Sequence, residues 1–191
     1  MSVLTALEIQ QRVAQTGRAL TELVSVLGDQ LEPASKMCLD TLANGGRILV
    51  CGNGGSAAQA QHLVAELVVR FETDRRALNA IALTADTAIL TACGNDYGYE
   101  RVFARQIEAL GTAGDTLIAF STSGKSKNIK EAIHAAHKKG MRILGISGNK
   151  GMNALCAIDI ICPGSNTAII QECHMVVTHL LCQAIERGVP K

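Results

Sequence analysis

Five short apolar runs without polar alternation lie along the chain after residue 45. They are RILVCG, NAIAL, DTLIAF, RILGIS and AIDIIC, and each ends in a loop of small or polar residues. Strands without alternation are typical of parallel sheets that are buried on both faces. Helical patterns lie between or after these runs, at about 56–70, 100–110, 127–139 and 167–187. The alternation predicts a three-layer, doubly wound α/β fold with a parallel five-stranded, flavodoxin-like sheet.

The first 44 residues carry a different pattern. Apolar or small residues recur three or four positions apart and predict one helix face: Val13, Gly17, Leu20, Val24 and Leu27. This pattern stops near Gly28, and Pro33 suits the first turn of a second helix that ends at about Asn44. We therefore expect a single domain over residues 1–191, in which residues 1–44 form an N-terminal helical hairpin used in oligomerisation.

Composition excludes several classes of partner. The formal net charge is +1, aromatic residues make up 3% and Trp is absent, so neither electrostatic capture of nucleic acid or anionic membranes nor base stacking is expected. The 7 cysteines lie in predicted core segments without a C-x-x-C pair, which is typical of reduced, buried thiols. The start of the chain lacks a signal-peptide pattern, and no stretch approaches the ~18 apolar residues of a membrane span. We expect a cytoplasmic protein with no nucleic-acid and no membrane partner.

Three loops that follow predicted strands are rich in glycine, hydroxyl and amide groups: 52–56, 121–126 and 147–151. In doubly wound sheets, ligands bind outside the carboxyl ends of the strands. The loop 121–126, STSGKS, also opens a helix, where backbone N–H groups and the helix dipole favour an anion such as phosphate. Lys125, Lys127 and Lys130 crowd the same helix start. The alternative is a plain serine N-cap with solvated lysines.

Two nucleotide-binding signatures are incomplete in these loops. A P-loop requires a glycine five residues before Gly124, where the chain has Ala119. Gly52, Gly54 and Ala57 resemble a dinucleotide fingerprint, but the acidic residue expected at the end of the second strand is missing. ATP hydrolysis and dehydrogenase activity are therefore disfavoured.

His62 and Glu66 form a second kind of candidate site. They lie four residues apart and therefore on one face of the helix that the first loop opens. So placed, an imidazole and a carboxylate can share a metal or act as acid and base. A plain hydrogen bond is the alternative.

The last predicted helix is apolar nearly all round, so we expect it to be buried, and its polar residues then require partners. These residues are Gln171, Glu172, His174 and His179. His174 and His179 differ by about 140° around the helix, so they cannot serve one site. The spacing leaves open which of them works with Gln171.

Asn95 and Asp96 lie in the stretch CGNDYGYE, after the helical run TADTAILTA. Two glycines and an Asn–Asp pair are explained by a turn alone. His134 and His137 lie on an Ala-rich, Lys-flanked helical segment, and we expect both to face solvent.

Several segments together resemble the phosphoheptose isomerases of the sugar isomerase (SIS) domain superfamily, over residues 45–187. They are CGNGGSAAQAQHLVAEL, ALTADTAILTACGNDYGYERVFARQIEALG, FSTSGKS and TAIIQECHMVVTHLL. The resemblance implies isomerisation of sedoheptulose 7-phosphate to D-glycero-D-manno-heptose 7-phosphate through an enediol. This reaction is the first step toward the ADP-heptose used in lipopolysaccharide core. The resemblance also implies a cytoplasmic homotetramer with zinc in the active site.

Carried over by motif, the resemblance implies substrate contacts at Asn53, Gly54, Gly55, Glu66, Asn95, Asp96, Ser121, Thr122, Ser123, Ser126 and Gln171. It implies zinc ligands at His62, Glu66, Gln171 and His179, and therefore favours His179 over His174. Aldose–ketose isomerisation needs a base over the carbon and a group that handles the oxygen protons. Glu66 is the candidate base and His179 the candidate acid.

One position departs from the family pattern. Family members commonly have an Arg two residues before the Gln of the last motif, where this chain has Ile169. If that Arg assists the phosphate, Lys125 or Arg70 could substitute for it.

The main alternative is a non-catalytic SIS-domain adaptor, such as the tetramers that bind the bacterial replication initiator. Such adaptors resemble the chain in the glycine loops but lack the acid and the base. The presence of His62, Glu66, Gln171 and His179 together favours catalysis. A phosphosugar-sensing regulator is disfavoured, since no DNA-binding segment precedes the domain and the charge is near neutral.

Overall fold

A computed structural model describes residues 3–152 and 154–190. In chain order the elements are α1 (Ala6–Ala43), β1 (Ile48–Cys51), α2 (Gly55–Val68), β2 (Ala80–Ala82), α3 (Thr87–Tyr97), a 3₁₀ turn (Tyr99–Arg101), α4 (Ala104–Leu110), β3 (Thr116–Ser121), α5 (Lys127–Lys138), β4 (Arg142–Ser147), β5 (Ile158–Ile161) and α6 (Thr167–Gly188).

The five strands form one sheet in the order β2-β1-β3-β4-β5, and every pair is parallel. One apolar cluster joins the sheet to α1, α2 and α6, and a second joins its other face to α3, α4 and α5. The predicted three-layer fold with five parallel strands is confirmed. Strand order reverses between β1 and β3, which places a crevice at the carboxyl ends of these two strands.

The predicted N-terminal hairpin is wrong, because α1 is one continuous helix of 38 residues with Pro33 inside it. An internal proline removes a backbone hydrogen bond and costs about 3 kcal/mol. The buried stripe of α1 nevertheless continues across it through Leu27, Ala34, Cys38 and Leu42. Since each buried large apolar side chain contributes about 1.5–3 kcal/mol, packing on both sides of Pro33 outweighs the local break.

The predicted core stripe of α1 is also partly wrong. Ala19, Leu23 and Leu27 are buried, whereas Val13 and Val24 are 67% and 69% exposed. The buried face therefore starts at Ala19, between three and four turns into α1. The first turns of α1 present apolar side chains outward, and Thr5 begins the helix with a reciprocal capping box to Glu8.

α6 is long and apolar enough to cross a membrane by length and composition, contrary to the expectation that no such stretch exists. Half of its most apolar window is buried inside the fold, where it packs against α1, α2 and β4. The core therefore buries about half of the most apolar part of α6. The prediction of buried thiols is confirmed for six of the cysteines: Cys38, Cys51, Cys93, Cys162, Cys173 and Cys182.

Candidate active site

The loop after β1 meets the start of α5 across the crevice. The side-chain amides of Asn53 and Asn128 exchange two hydrogen bonds of 2.8 Å, and the Tyr99 hydroxyl donates to Asn53 Oδ1 at 3.2 Å. Gly54 precedes α2 with a φ of 54°, a left-handed conformation that glycine adopts without strain. The predicted substrate residue Asn53 thus lies at the strand-order reversal.

The loop after β3 forms a tight hydroxyl-lined turn at the N-terminus of α5. Ser121 Oγ accepts from the Gly124 N–H at 3.1 Å, and Ser123 Oγ accepts from the Lys125 N–H at 3.2 Å. Ser126 occupies the N-cap position but makes no side-chain capping bond. The predicted serine N-cap is thus present by position but without its side-chain bond, which leaves the Ser126 hydroxyl available to a ligand at the positive end of the helix dipole.

The loop after β4 supports the loop after β3 through close backbone contact. A Cβ on Gly148 would collide with the Thr122 carbonyl, and one on Gly124 would collide with the Gly151 carbonyl. Beside these loops lies a cavity of about 280 Å³, and most of the residues that line it carry a hydroxyl, amide or ammonium group. Its lining includes Thr122, Ser123, Lys125, Asn149, Lys150 and the start of α6.

α2 and α6 bring the remaining predicted residues together. Gln59 Nε2 on α2 donates to the Gln171 carbonyl on α6 at 2.6 Å. Gly55 leaves space for the Gln171 side chain, because a Cβ at residue 55 would collide with the Gln171 amide nitrogen. Gln171 therefore lies beside the start of α2, next to the first glycine loop.

His62, Glu66 and His179 lie further along the same helix–helix contact. The Nε2 atoms of His62 and His179 are 3.0 Å apart, and Glu66 Oε1 lies 3.5 Å from His62 Nε2. The two imidazole rings meet edge to face, with centroids 5.2 Å apart. Their placement answers the question that helix spacing left open, since His179 faces α2 and His174 does not.

His174 lies on another side of α6, fully buried against the sheet. Its Nε2 is 3.1 Å from the Ser147 carbonyl, and its ring packs on Phe120. Burial lowers the pKa of His174 to about 4, and the hydrogen bond to Ser147 opposes this shift only in part. His174 is therefore a neutral core histidine, and it does not share a site with His179, as the helix wheel predicts.

A cysteine also lies near the His–Glu group. Burial, and then the negative charge of Glu66, raises the pKa of Cys182 to about 12, although Arg75 opposes the shift. Cys182 therefore remains a thiol at neutral pH in the absence of a metal. The side chains at the contact of α2 with α6 that could bind a ligand at neutral pH are therefore imidazoles, a carboxylate and amides.

The sequence context of Asn95 and Asp96 predicts a β-turn. In the structure both residues are helical and lie near the end of α3. Both are exposed, and their side chains bond to each other at 2.8 Å. The helix continues to Tyr97 and ends at Gly98, which has a φ of 87°. Gly98 leads to Tyr99, whose hydroxyl reaches Asn53, so this segment borders the site.

Ile169 is 1% exposed and belongs to the apolar core. Packing therefore accounts for an apolar side chain where the family commonly has Arg. Lys125 and Arg70 are both exposed, and neither forms an ion pair with another side chain within residues 3–152 and 154–190. Of the two, Lys125 lines the cavity beside the serine loop. His134 and His137 are exposed, as expected.

Three residues at the site were missed by sequence reasoning. Tyr99 and Asn128 contact Asn53, and the ring of Phe71 lies 5.8 Å from that of His179. Asn128 is buried in the first turn of α5. The signal in the sequence that could have identified it is a single amide among the lysines at the start of this helix. Phe71 and Tyr99 lie outside regular helices and strands, where no periodicity marks a contact.

Comparison with known proteins identifies the fold and its chemistry. The SIS domain family model matches residues 13–148. A phosphoheptose isomerase from Campylobacter concisus is 52% identical over 173 residues, which are 90% of this chain and 91% of that protein. Among solved structures, phosphoheptose isomerase GmhA from Neisseria gonorrhoeae has a TM-score of 0.85 and 41% identity, with 94% of this chain and 99% of that chain covered. A phosphoheptose isomerase from Francisella tularensis has a TM-score of 0.91 and 38% identity, with 96% and 100% covered. The chain therefore belongs to the SIS domain family and, within it, to the phosphoheptose isomerases.

Proposed function

We propose that this isomerase converts sedoheptulose 7-phosphate to D-glycero-D-manno-heptose 7-phosphate, the first step toward ADP-heptose for lipopolysaccharide core. The observation that carries the proposal is the contact of α2 with α6, which brings His179 against His62 and Glu66 of the helix that begins at the first glycine loop. His62 lies seven residues into α2 from Gly55, which is about 10 Å along the helix axis. An extended seven-carbon chain with a terminal phosphate has a comparable length, since carbon–carbon bonds of about 1.5 Å advance it by roughly 1.3 Å each.

The serine loop would hold the phosphate. Ser121, Thr122, Ser123 and Ser126 present hydroxyl groups at the N-terminus of α5, and Lys125 supplies a nearby positive charge. Hydrogen bonds to a charged group are worth about 1.5–3 kcal/mol each. The first loop, with Asn53, Gly54 and Gly55, and the end of α3, with Asn95 and Asp96, would bind the sugar hydroxyls.

Proton transfer would be shared by two facing side chains. Glu66 would remove the proton from the carbon next to the carbonyl, which produces the enediol, and would return it to the neighbouring carbon. His179, on the opposite helix, would give a proton to the carbonyl oxygen as the enediol forms and would take the proton of the neighbouring hydroxyl group as the aldehyde forms. A positioned general base and general acid each contribute about 10²- to 10⁴-fold to the rate.

The same residues fit a zinc ion. No three His, Cys, Asp or Glu side chains in residues 3–152 and 154–190 form a complete metal cluster by themselves. However, two nitrogens bound to one tetrahedral zinc lie roughly 3.3 Å apart, given Zn–N bonds of about 2.0–2.1 Å. The 3.0 Å separation of His62 and His179 and the 3.5 Å separation of His62 and Glu66 are close to this value. His62, Glu66 and His179 would hold the metal, whereas Gln171, whose side chain lies beside Gly55, would have to move to become the fourth ligand. The metal would supply a Lewis acid that polarises the carbonyl and hydroxyl oxygens.

A non-catalytic adaptor is not favoured. The relatives that are 47–52% identical over 80–91% of this chain carry the name of the isomerase. The facing His62, Glu66 and His179 also form the acid–base group that such an adaptor does not need.

We further propose a homotetramer in the cytoplasm, built on α1 and α6. Four apolar residues near the start of the chain or on the outer face of α1 are 62–83% exposed: Val3, Leu4, Leu7 and Val13. Contiguous apolar patches of this kind mark interaction sites, and closed symmetry is the usual way to cover them. α6 packs against α1 and also carries His179. A tetramer interface built on these helices would therefore involve the helix that carries the candidate acid.

The function is tested by incubating the purified protein with sedoheptulose 7-phosphate in D₂O and following the aldose by NMR. We expect aldose formation, with deuterium incorporated at the carbon that exchanges its proton through the enediol. Glu66→Gln should lower turnover by about 10²-fold or more, as expected for loss of a general base. Glu32→Gln is the matched control, because Glu32 is exposed on α1 and forms no ion pair within residues 3–152 and 154–190. Absence of the aldose with wild-type protein would contradict the proposed substrate.

A further inference from the structure

Three consecutive backbone N–H groups of the loop after α2 bind one carboxylate of α6. Glu186 Oε1 accepts from the Phe71 N–H at 3.0 Å, while Oε2 accepts from the N–H groups of Glu72 at 3.0 Å and Thr73 at 2.9 Å. Three consecutive backbone donors thus converge on one side chain. Burial by itself raises the pKa of Glu186, but the hydrogen bonds from Thr73, Phe71 and Glu72 outweigh it and lower the pKa overall. Glu186 is therefore ionised at neutral pH.

Arg75 connects this carboxylate to the turn of α2 that carries Glu66. Its guanidinium donates to the Glu66 carbonyl at 2.6 Å and to the Leu67 carbonyl at 2.9 Å, and its Nε lies 3.5 Å from Glu186 Oε1. The last carbonyls of a helix have no partner within the helix, and an Arg side chain satisfies them well. The side chains of Arg75 and Glu186 are only 4% and 6% exposed, so water competes little for these bonds.

The same loop places an aromatic ring against the candidate acid. Phe71, whose N–H binds Glu186, has its ring 5.8 Å from that of His179 at an interplanar angle of 31°. His62 contacts another side of the His179 ring. Glu186 lies seven residues after His179, on the same face of α6 and two turns further along. The His179 ring is therefore held between a residue of α2 and a residue of the loop after α2.

We propose that Glu186 and Arg75 are positioning residues for the isomerase: together they fix the turn of α2 that carries Glu66 and hold Phe71 against His179. The inference rests on the proposed roles of Glu66 and His179. Neither Glu186 nor Arg75 contacts the reacting atoms. Their effect on the reaction passes through the backbone of Glu66 and the ring of Phe71.

The test compares Glu186→Gln, Phe71→Leu and the double variant with the wild type and with the control Glu32→Gln, which lies on α1 away from this loop. Gln keeps the size of Glu186 but has a single acceptor oxygen and no charge for three N–H donors and Arg75. We expect kcat to fall about 10- to 100-fold, because a displacement of about 1 Å can cost 10²-fold. KM should stay within about twofold, since the phosphate loops are untouched. Glu32→Gln should leave both constants unchanged.

Two further measurements separate positioning from general stability. The double variant should have a kcat close to that of the slower single variant, because both changes act through one contact with His179. Amide exchange of residues 71–73 should be faster in Glu186→Gln than in the wild type and unchanged in the control, while peptides from the sheet keep their protection.

A wild-type kcat in Glu186→Gln, or effects of Glu186→Gln and Phe71→Leu that multiply, would overturn the positioning role. If Glu186→Gln melts below the assay temperature, Phe71→Leu decides by itself, and an unchanged kcat in that variant overturns the inference. Failure of the proposed function is recognised separately, because it appears already as a lack of turnover in the wild type.

Discussion

Gly55→Ala tests whether the space at the start of α2 exists to hold Gln171. Gly55 is the first residue of α2, and an added Cβ would collide with the Gln171 amide nitrogen and lie 2.9 Å from its Cδ and Oε1. These atoms form the end of a flexible side chain, so the amide group can rotate away at little cost to the fold. The perturbation therefore displaces one predicted ligand and substrate contact and leaves the backbone in place.

The expected magnitudes separate activity from stability. Loss of one or two hydrogen bonds by Gln171 corresponds to about 1–2 kcal/mol, or roughly 5- to 30-fold in kcat/KM. The free energy of unfolding should stay the same or rise by up to about 1 kcal/mol, because Ala is a better helix former than Gly. Gly28→Ala is the control: it makes the same change on α1, where the added Cβ meets no other atom within 4 Å.

The assay measures kcat/KM by NMR and the free energy of unfolding by urea denaturation for Gly55→Ala, Gln171→Ala and the double variant. If Gly55→Ala acts by displacing Gln171, the double variant should be no less active than Gln171→Ala alone. A wild-type kcat/KM in Gly55→Ala would refute the reasoning. So would a double variant in which the two losses multiply.

Three other predictions concern the phosphate loop, the buried histidine and assembly. Ser121→Ala combined with Ser126→Ala should weaken substrate binding by about 3 kcal/mol or more, seen as a KM raised roughly 100-fold; an unchanged KM would place the phosphate elsewhere. His174 has a pKa of about 4 in the folded state, below its unfolded value, so the unfolded chain binds more protons and stability falls as the pH drops below about 6.5. Between pH 7 and pH 5 this difference amounts to about 2 kcal/mol, and urea denaturation should show a smaller loss in His174→Gln. Light scattering at micromolar concentration should show a tetramer, whereas Leu7→Glu with Val13→Glu should reduce the mass; a wild-type monomer would contradict the proposed assembly.

Local patterns along the sequence were sufficient to predict the five strands and the loops on one side of the site. The unalternating apolar runs correctly predicted the five parallel strands, because burial on both faces leaves a signal within each strand. The loops that follow β1, β3 and β4 could be predicted as one site, since parallel strands bring their carboxyl ends to one edge. The helix wheel correctly predicted that His174 and His179 lie on different sides of α6, because this prediction depends only on rotation within one helix.

Local signals misled where a longer-range contact was stronger. Gly28 and Pro33 indicate a break between two helices, yet α1 continues through both because its buried stripe packs along α6 and the sheet. Asn95 and Asp96 have turn propensity but complete the last turn of α3. Propensities of about 1–3 kcal/mol per residue are smaller than the summed burial of several side chains.

Only the tertiary structure decided which polar groups meet. His62 and His179 are 117 residues apart in sequence, and their 3.0 Å contact depends on how α2 and α6 pack. The hydrogen bonds from residues 71–73 to Glu186 join positions more than 110 residues apart in the sequence. Residues 71–73 also lie in a loop, where no periodicity marks a contact. Periodicity reports which face of an element is buried, whereas the distance between two elements is set by the side chains packed between them. The sequence by itself therefore determined the layers and the loop edge, and the packing of α2, α6 and the loop after α2 determined the arrangement of the acid–base group.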